Sequence, residues 1–134
     1  MSVYTTEITV RFRDIDAMGH VNNAVYGTYV EQARTAYFRD ILSADISTTP
    51  VVLASLSLDF RQPVLLSDRT VTVSVDVADI GRSSVTMTHE IRTDESNTLV
   101  AEAEATLVSL DPASGEPAAV PTEHREKMVS YHDL

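Results

Sequence analysis

The stretch Asp14-Ile15-Asp16-Ala17-Met18-Gly19-His20-Val21-Asn22-Asn23-Ala24-Val25-Tyr26 sits where the repeat of apolar residues changes. Before it, residues 5–13 alternate, with Ile8, Val10 and Phe12 on one face and Thr9, Arg11 and Arg13 on the other. That is the period of a half-buried strand. After it, Tyr26, Tyr29, Val30, Ala33, Tyr37 and Ile41 recur at helical spacing and predict a helix over about 23–41, roughly 28 Å long at the usual rise per residue. Gly19 supplies a backbone bend, and Asn22 or Asn23 is a suitable N-cap, because its side-chain oxygen can accept an otherwise unpaired backbone N–H. The loop therefore gathers two carboxylates, an imidazole and the positive end of a helix dipole.

Beyond the helix and a Ser/Thr/Pro loop at 43–50, the period returns to two. Val52, Ala54, Leu56, Leu58 and Phe60 oppose Ser55, Ser57, Asp59 and Arg61, and Pro63 closes that strand because it cannot donate to a ladder. Val71, Val73, Val75 and Val77 define the next strand. Val85, Met87, His89 and Ile91 follow the turn at Gly81, and Leu99, Ala101, Ala103, Ala105 and Leu107 follow the turn at 93–97. Five strands with one polar face, and one long helix, predict an α+β fold in which an antiparallel sheet covers that helix. The alanines of the last strand suggest a close helix approach. The whole chain, 1–134, reads as one domain with its core at about 5–110, a turn-rich tail from 111, and a short amphipathic helix at 123–131. A single helix leaves part of the sheet uncovered, so self-association through a Ser/Thr-rich edge is expected.

Composition narrows the function. The 134 residues carry 20 acidic and 10 basic side chains, a formal charge of −10, and Lys127 is the single lysine. Nucleic acids and anionic membranes are poor partners for such a surface, which has no basic footprint. A surface this acidic suits high salt, where its self-repulsion is screened, and points to a salt-adapted source. No cysteine is present, which removes disulfides, thiol nucleophiles and thiolate metal sites. The start of the chain lacks the basic and apolar regions of a secretory signal, so a cytoplasmic location is expected. His20, His89, His124 and His132 have no ligand spacing, and no metal is expected. His89, on an apolar strand face, reads as core.

The order of strand, Asp-x-Asp-x-x-Gly-His-Val-Asn-Asn-x-x-Tyr, long helix and four strands resembles the hotdog-fold acyl-CoA thioesterases of the 4-hydroxybenzoyl-CoA thioesterase superfamily. The loop motif also looks like that of plant acyl-ACP thioesterases. The resemblance covers residues 5 to about 110 and includes Tyr29-Val-Glu31-Gln-Ala-Arg34, Leu58-Asp-Phe-Arg61-Gln-Pro63 with Asp68, and Gly81-Arg82-Ser83-Ser84. It implies a curved sheet wrapped around the long helix, pairing of two sheets edge to edge in a homodimer or homotetramer, and an acyl-thioester site between subunits. It implies no cofactor, coenzyme A being part of the substrate. The family's catalytic carboxylate falls on Asp16, and its oxyanion-polarising amide falls on Asn23. The acyl-ACP branch also uses the histidine that matches His20, but has an asparagine where this chain has Met18.

Each role has a plainer counterpart. Asp16 can serve as base or nucleophile on a thioester, or can cap loop amides. His20 can position substrate or move a proton near neutral pH, or be a hydrogen-bonded structural histidine. Asp14 falls out of register with Asp16 and reads as structural. Gly19, Asn22 and Tyr26 would surround the bound acyl thioester. Glu31 is a reserve acid, and with Arg34 at i, i+3 it reads as a helix-surface pair. Arg61, Arg82, Ser83 and Ser84 would grip the coenzyme A phosphates, or be solvated at strand ends. The expected reaction is hydrolysis of an acyl-CoA. The alternatives are hydration of an enoyl thioester by Asp16 and His20, and non-catalytic acyl-thioester binding.

Overall fold

The computed structural model describes residues 2–134 and follows the expected order of elements, with two shifts that matter for the site. Five strands, β1 (Tyr4–Thr9), β2 (Val51–Phe60), β3 (Thr70–Ile80), β4 (Ser84–Thr93) and β5 (Leu99–Ser109), form one antiparallel sheet in the order β1-β3-β4-β5-β2. The helix α1 (Asn23–Asp40) lies across one face. Val71, Val73, Val75 and Val77 of β3, with Val85, Met87 and Ile91 of β4, meet Tyr29, Val30, Ala33 and Tyr37 of α1 in the core. Among the described residues, no helix is long and apolar enough to cross a membrane.

A second helix, α2 (Thr122–His132), occupies the expected tail position and reaches further into the core than a surface helix would. Its His132 is fully buried and donates from Nδ1 to the Ser2 carbonyl at 2.9 Å, and its Nε2 accepts from the Tyr37 hydroxyl at 2.8 Å. Asp76 of β3 lies 3.2 Å from the same Nδ1. Lys127 donates to the Leu42 carbonyl just past α1. The second helix, at the position expected for the short tail helix, ties the segment before β1 to the far end of α1.

Two strand boundaries differ from the alternation. β1 ends at Thr9, where the pattern continued to Arg13. The Asp14 carboxylate accepts the Arg11 amide at 2.9 Å and curls Phe12–Asp14 into a 3-10 turn, which leaves Phe12 82% exposed instead of inward. In β2 the register slips between Leu53 and Ser55, so that Leu53, rather than Val52, sits opposite buried Leu107. A bulge at Ala54 therefore exchanges the faces of the strand's first residues. The helix backbone runs closest to β1 and β3, not over the alanines of β5. Above β5 and β2, the space is taken by long side chains from α1, Tyr26 against Phe60 at 5.1 Å and Arg34 beside Leu107.

Candidate active site

The loop from residue 10 to 22 is built on Asp14. Its carboxylate, 4% exposed, accepts from the Arg11 amide and from the Tyr29 hydroxyl at 2.8 Å, and the Arg11 guanidinium stands 3.6 Å away. Burial, followed by the hydrogen bond to Asp14, pushes the Tyr29 hydroxyl far above its ordinary range, so it stays a donor. The Asp14 carbonyl accepts the Asn22 amide, and Ile15 bridges Val21, which closes the loop on itself. Val21 is in turn held by the Val64 carbonyl of the segment after β2. Asp14 is therefore held by Arg11 and Tyr29 inside the loop, apart from the contacts of Asp16.

Asp16 projects from the closed loop and is half-buried. Its Oδ1 accepts the Met18 amide at 2.9 Å, and its own backbone N–H donates to the His20 carbonyl. Gly19 adopts φ +88°, in a place where an added Cβ would meet nothing within 4 Å, so backbone conformation and not space calls for glycine there. His20 is half-buried beside Asp16, and Met18 at the loop tip is 79% exposed. Tyr26, one turn into α1, is held close enough that the charges of Asp16 and Asp68 add to the effect of burial in raising its hydroxyl pKa. The Asp16 carboxylate thus lies within electrostatic reach of the Tyr26 hydroxyl.

The first turn itself has one unused donor. Asn22 caps the helix, its side chain accepting from Ala24 at 2.9 Å and its carbonyl from Val25. Among the described residues, the Asn23 amide has no intramolecular acceptor, and the helix dipole points out through it. Exposed or half-exposed apolar side chains surround this corner: Phe12, Met18, Phe60, Leu65 and Leu66.

The other expected residues divide by position. Arg61 lies at the same end of the sheet, but its Nε and Nη2 donate to Glu102 Oε2, at 3.1 and 2.7 Å. Arg82, Ser83 and Ser84 form the β3–β4 turn at the opposite end of the sheet from Asp16, so one chain does not bring them to the loop. There the Arg82 carbonyl accepts from Val120 and the Ser83 carbonyl from Ser109. Glu31 is exposed and two turns from Asn23, but it does not form the expected surface pair: Arg34 is only 3% exposed and makes no ion pair among the described residues. The sequence signal for that burial was the spacing Val30, Arg34, Phe38, which sets the arginine along the apolar stripe. His89 is buried, as expected. Its Nδ1–H donates to the Ser74 carbonyl at 3.0 Å, and burial, aided by the charge of Arg34, lowers its pKa to about 4. Among the described residues, no group of His, Asp or Glu is arranged to hold a metal ion.

The site thus combines a helix N-terminus with an unused amide and a loop that carries Asp16 and His20, on a five-stranded antiparallel sheet. The chain belongs to the thioesterase-like superfamily, whose family model matches residues 10–128, and it is a thioester hydrolase. It is 29% identical over 126 residues to the long-chain acyl-CoA thioesterase FadM of Escherichia coli, covering 92% of this chain and 95% of that one. It is 28% identical to the acyl-CoA thioester hydrolase YbgC of Escherichia coli O157:H7, covering 90% of this chain and 91% of that one. A crystal structure of a Thermus thermophilus thioesterase complexed with coenzyme A and Zn superposes with a TM-score of 0.87. It is 35% identical and covers 97% of this chain and 94% of that one.

Proposed function

We propose that the protein hydrolyses acyl-CoA thioesters, with Asp16 as base or nucleophile, the Asn23 amide as oxyanion donor and His20 assisting, in a cleft completed by a second copy. The observation that supports this reading is the unused Asn23 N–H at the start of α1, in a chain segment whose loop carries the half-buried Asp16 carboxylate. In the base route, Asp16 Oδ2 takes a proton from water as the water oxygen attacks the thioester carbonyl. The Met18 amide fixes Oδ1 and leaves Oδ2 for that step. The electron pair of the C=O bond moves to oxygen, where the Asn23 N–H and the helix dipole meet it; one such donor is worth about 3 kcal/mol in the transition state. Collapse of the tetrahedral species expels the coenzyme A thiolate, and the proton held by Asp16 passes to sulfur.

A second subunit accounts for what one chain leaves open. β2 is an edge strand whose Val52, Leu53, Leu56 and Phe60 are exposed. Antiparallel pairing of two such edges would carry the Arg82–Ser84 turn of one protomer toward the Asp16 loop of its partner. This gives those residues a coenzyme A role that they cannot have within one chain. The relatives' names, which specify acyl-CoA substrates, support the substrate class. The test is free-thiol release from a panel of aromatic, short-chain and long-chain acyl-CoAs. Stoichiometric thiol and free acid are expected. A 3-hydroxyacyl-CoA formed from an enoyl-CoA would make the protein a hydratase, and saturable binding without turnover would make it a binder.

A further inference from the structure

Arg34 is the most anomalous side chain outside the active-site loop. It is 3% exposed, its Nη1 is buried without a hydrogen-bond partner among the described residues, and burial lowers its pKa. A largely desolvated guanidinium with no carboxylate at ion-pair distance is costly, and the charge of Glu31 on the same chain offsets only part of the effect of burial. The neighbouring unpartnered atom, His89 Nε2, does not answer that charge. His89 donates through Nδ1, so Nε2 is the acceptor nitrogen of a neutral ring, not an anion.

The surroundings of Arg34 show where an anion would come from. Arg34, Glu31 and Thr35 of α1 line a recess of about 200 Å³ with Val51, Val52 and Leu53 of β2, and Ile46 and Leu107. This is the side of α1 that looks over the free edge of the sheet, as the 3.7 Å gap between the position of a Gly27 Cβ and the Leu56 side chain also shows. Glu31 is exposed on the same face, one turn from Arg34, and forms no ion pair with it. The face thus presents a positive and a negative charge, three residues apart and in no salt bridge among the described residues, above an exposed apolar strand.

A two-fold axis normal to the sheet at the β2 edge would lay a second β2 antiparallel to the first. It would also set the two α1 helices side by side in opposite directions. Contacts across such an isologous interface are reciprocal. A register placing Glu31 against Glu31, or Arg34 against Arg34, brings like charges together. One placing Arg34 against Glu31 forms the same pair twice. We infer that Arg34 of each protomer binds Glu31 of the partner subunit, forming a double ionic clasp that sets the register of the dimer. This rests on the reading that a second copy completes the catalytic cleft, and it fixes which register does so. Because Arg34 lies over Val51–Leu53, the same register centres the paired β2 strands near the Ala54 bulge.

The test is charge reversal read by sedimentation equilibrium, without substrate. Arg34→Glu and Glu31→Arg are each expected to weaken the dimer about a hundredfold or more, since removing one member of a buried pair leaves the other unpaired. The double swap Glu31→Arg/Arg34→Glu is expected to recover to within about tenfold of the parent. The two single variants, each self-repelling, are expected to associate with one another when mixed, because both contacts across the axis of the mixed dimer then join a glutamate to an arginine. Glu31 is exposed, so Glu31→Arg keeps the test available if Arg34→Glu does not fold. A monomeric parent protein, unaltered association in Glu31→Arg, or no association of the mixed variants would overturn the clasp. The thioesterase reading fails separately: a variant that dimerises normally but releases no thiol from any acyl-CoA would count against that reading and not against the clasp.

Discussion

Replacing Asp14 by alanine tests how the loop that carries Asp16 is held. The carboxylate is 4% exposed and accepts the Arg11 amide and the Tyr29 hydroxyl, at 2.9 and 2.8 Å. Its removal leaves the buried Tyr29 hydroxyl without its acceptor, at about 1–3 kcal/mol, and also loses a charge-assisted bond to the Arg11 amide. A total of about 3–4 kcal/mol follows, equivalent to roughly 10–15 °C in melting temperature for a domain of this length. Tyr29→Phe removes only the hydroxyl and is expected to cost about 1.5–3 kcal/mol, the value of a hydrogen bond to a charged group. The two positions share one bond, so their effects should not add. The double variant should be more stable than the sum of the singles requires, by about 1.5 kcal/mol or more. Urea unfolding of the four proteins measures this cycle. Activity should fall with the loop, since the Asp14 carbonyl also anchors Asn22 at the helix cap. Additive single effects, or an Asp14→Ala protein as stable as its parent, would refute the assignment of Asp14 as the loop's anchor.

Three further outcomes follow from the same geometry. His89 is held neutral with a folded pKa of about 4, below the ordinary histidine value, so the unfolded chain binds the extra proton first as pH falls. Its contribution is neutral above about pH 6.5 and becomes a penalty approaching roughly 3 kcal/mol by pH 4, and His89→Leu should flatten that part of a stability–pH curve measured by urea unfolding. Asn22→Ala removes the bond to the Ala24 amide and should cost about 1 kcal/mol in the same assay, with a larger fall in kcat than in substrate affinity as the Asn23 amide loses its fixed direction. With a net charge of −10, the protein should gain several degrees in melting temperature between dilute buffer and about 1 M salt, where the Debye length is near 3 Å; a flat or falling scan would remove the salt-adaptation argument.

The sequence made some parts of the structure legible and hid others for identifiable reasons. The valines of β3 and the alternation of β4 and of β5 from Ala101 were readable because one face is buried there, which leaves a period of two. Register shifts at Val77–Asp79 and opposite Ile91–Arg92 break it, and Val100 is buried where Leu99 was expected to face inward. The Asn22 cap and the Gly19 bend were readable because each residue type answers a specific backbone need. The end of β1 was not, since Phe12 and Arg13 continue the alternation while a single buried carboxylate, that of Asp14, turns the chain. A bulge at Ala54 leaves little trace in a strand as apolar as Val51–Phe60. The i, i+3 spacing of Glu31 and Arg34 suggested a surface pair, because helical spacing does not say which flank of the stripe a neighbouring strand covers. Arg82–Ser84 carried a motif that a single chain leaves at the opposite end of the sheet from Asp16.

Hydrolysis of an acyl-CoA accepted by the parent protein, measured for Asp16→Asn, tests the central claim most directly. The substitution keeps the size of the side chain and an oxygen for the Met18 amide, so folding and self-association should be unchanged. Loss of the base or nucleophile should lower kcat by about a thousandfold or more. A kcat within about tenfold of the parent's would show that the Asp16 carboxylate is a loop cap and that the chemistry lies elsewhere.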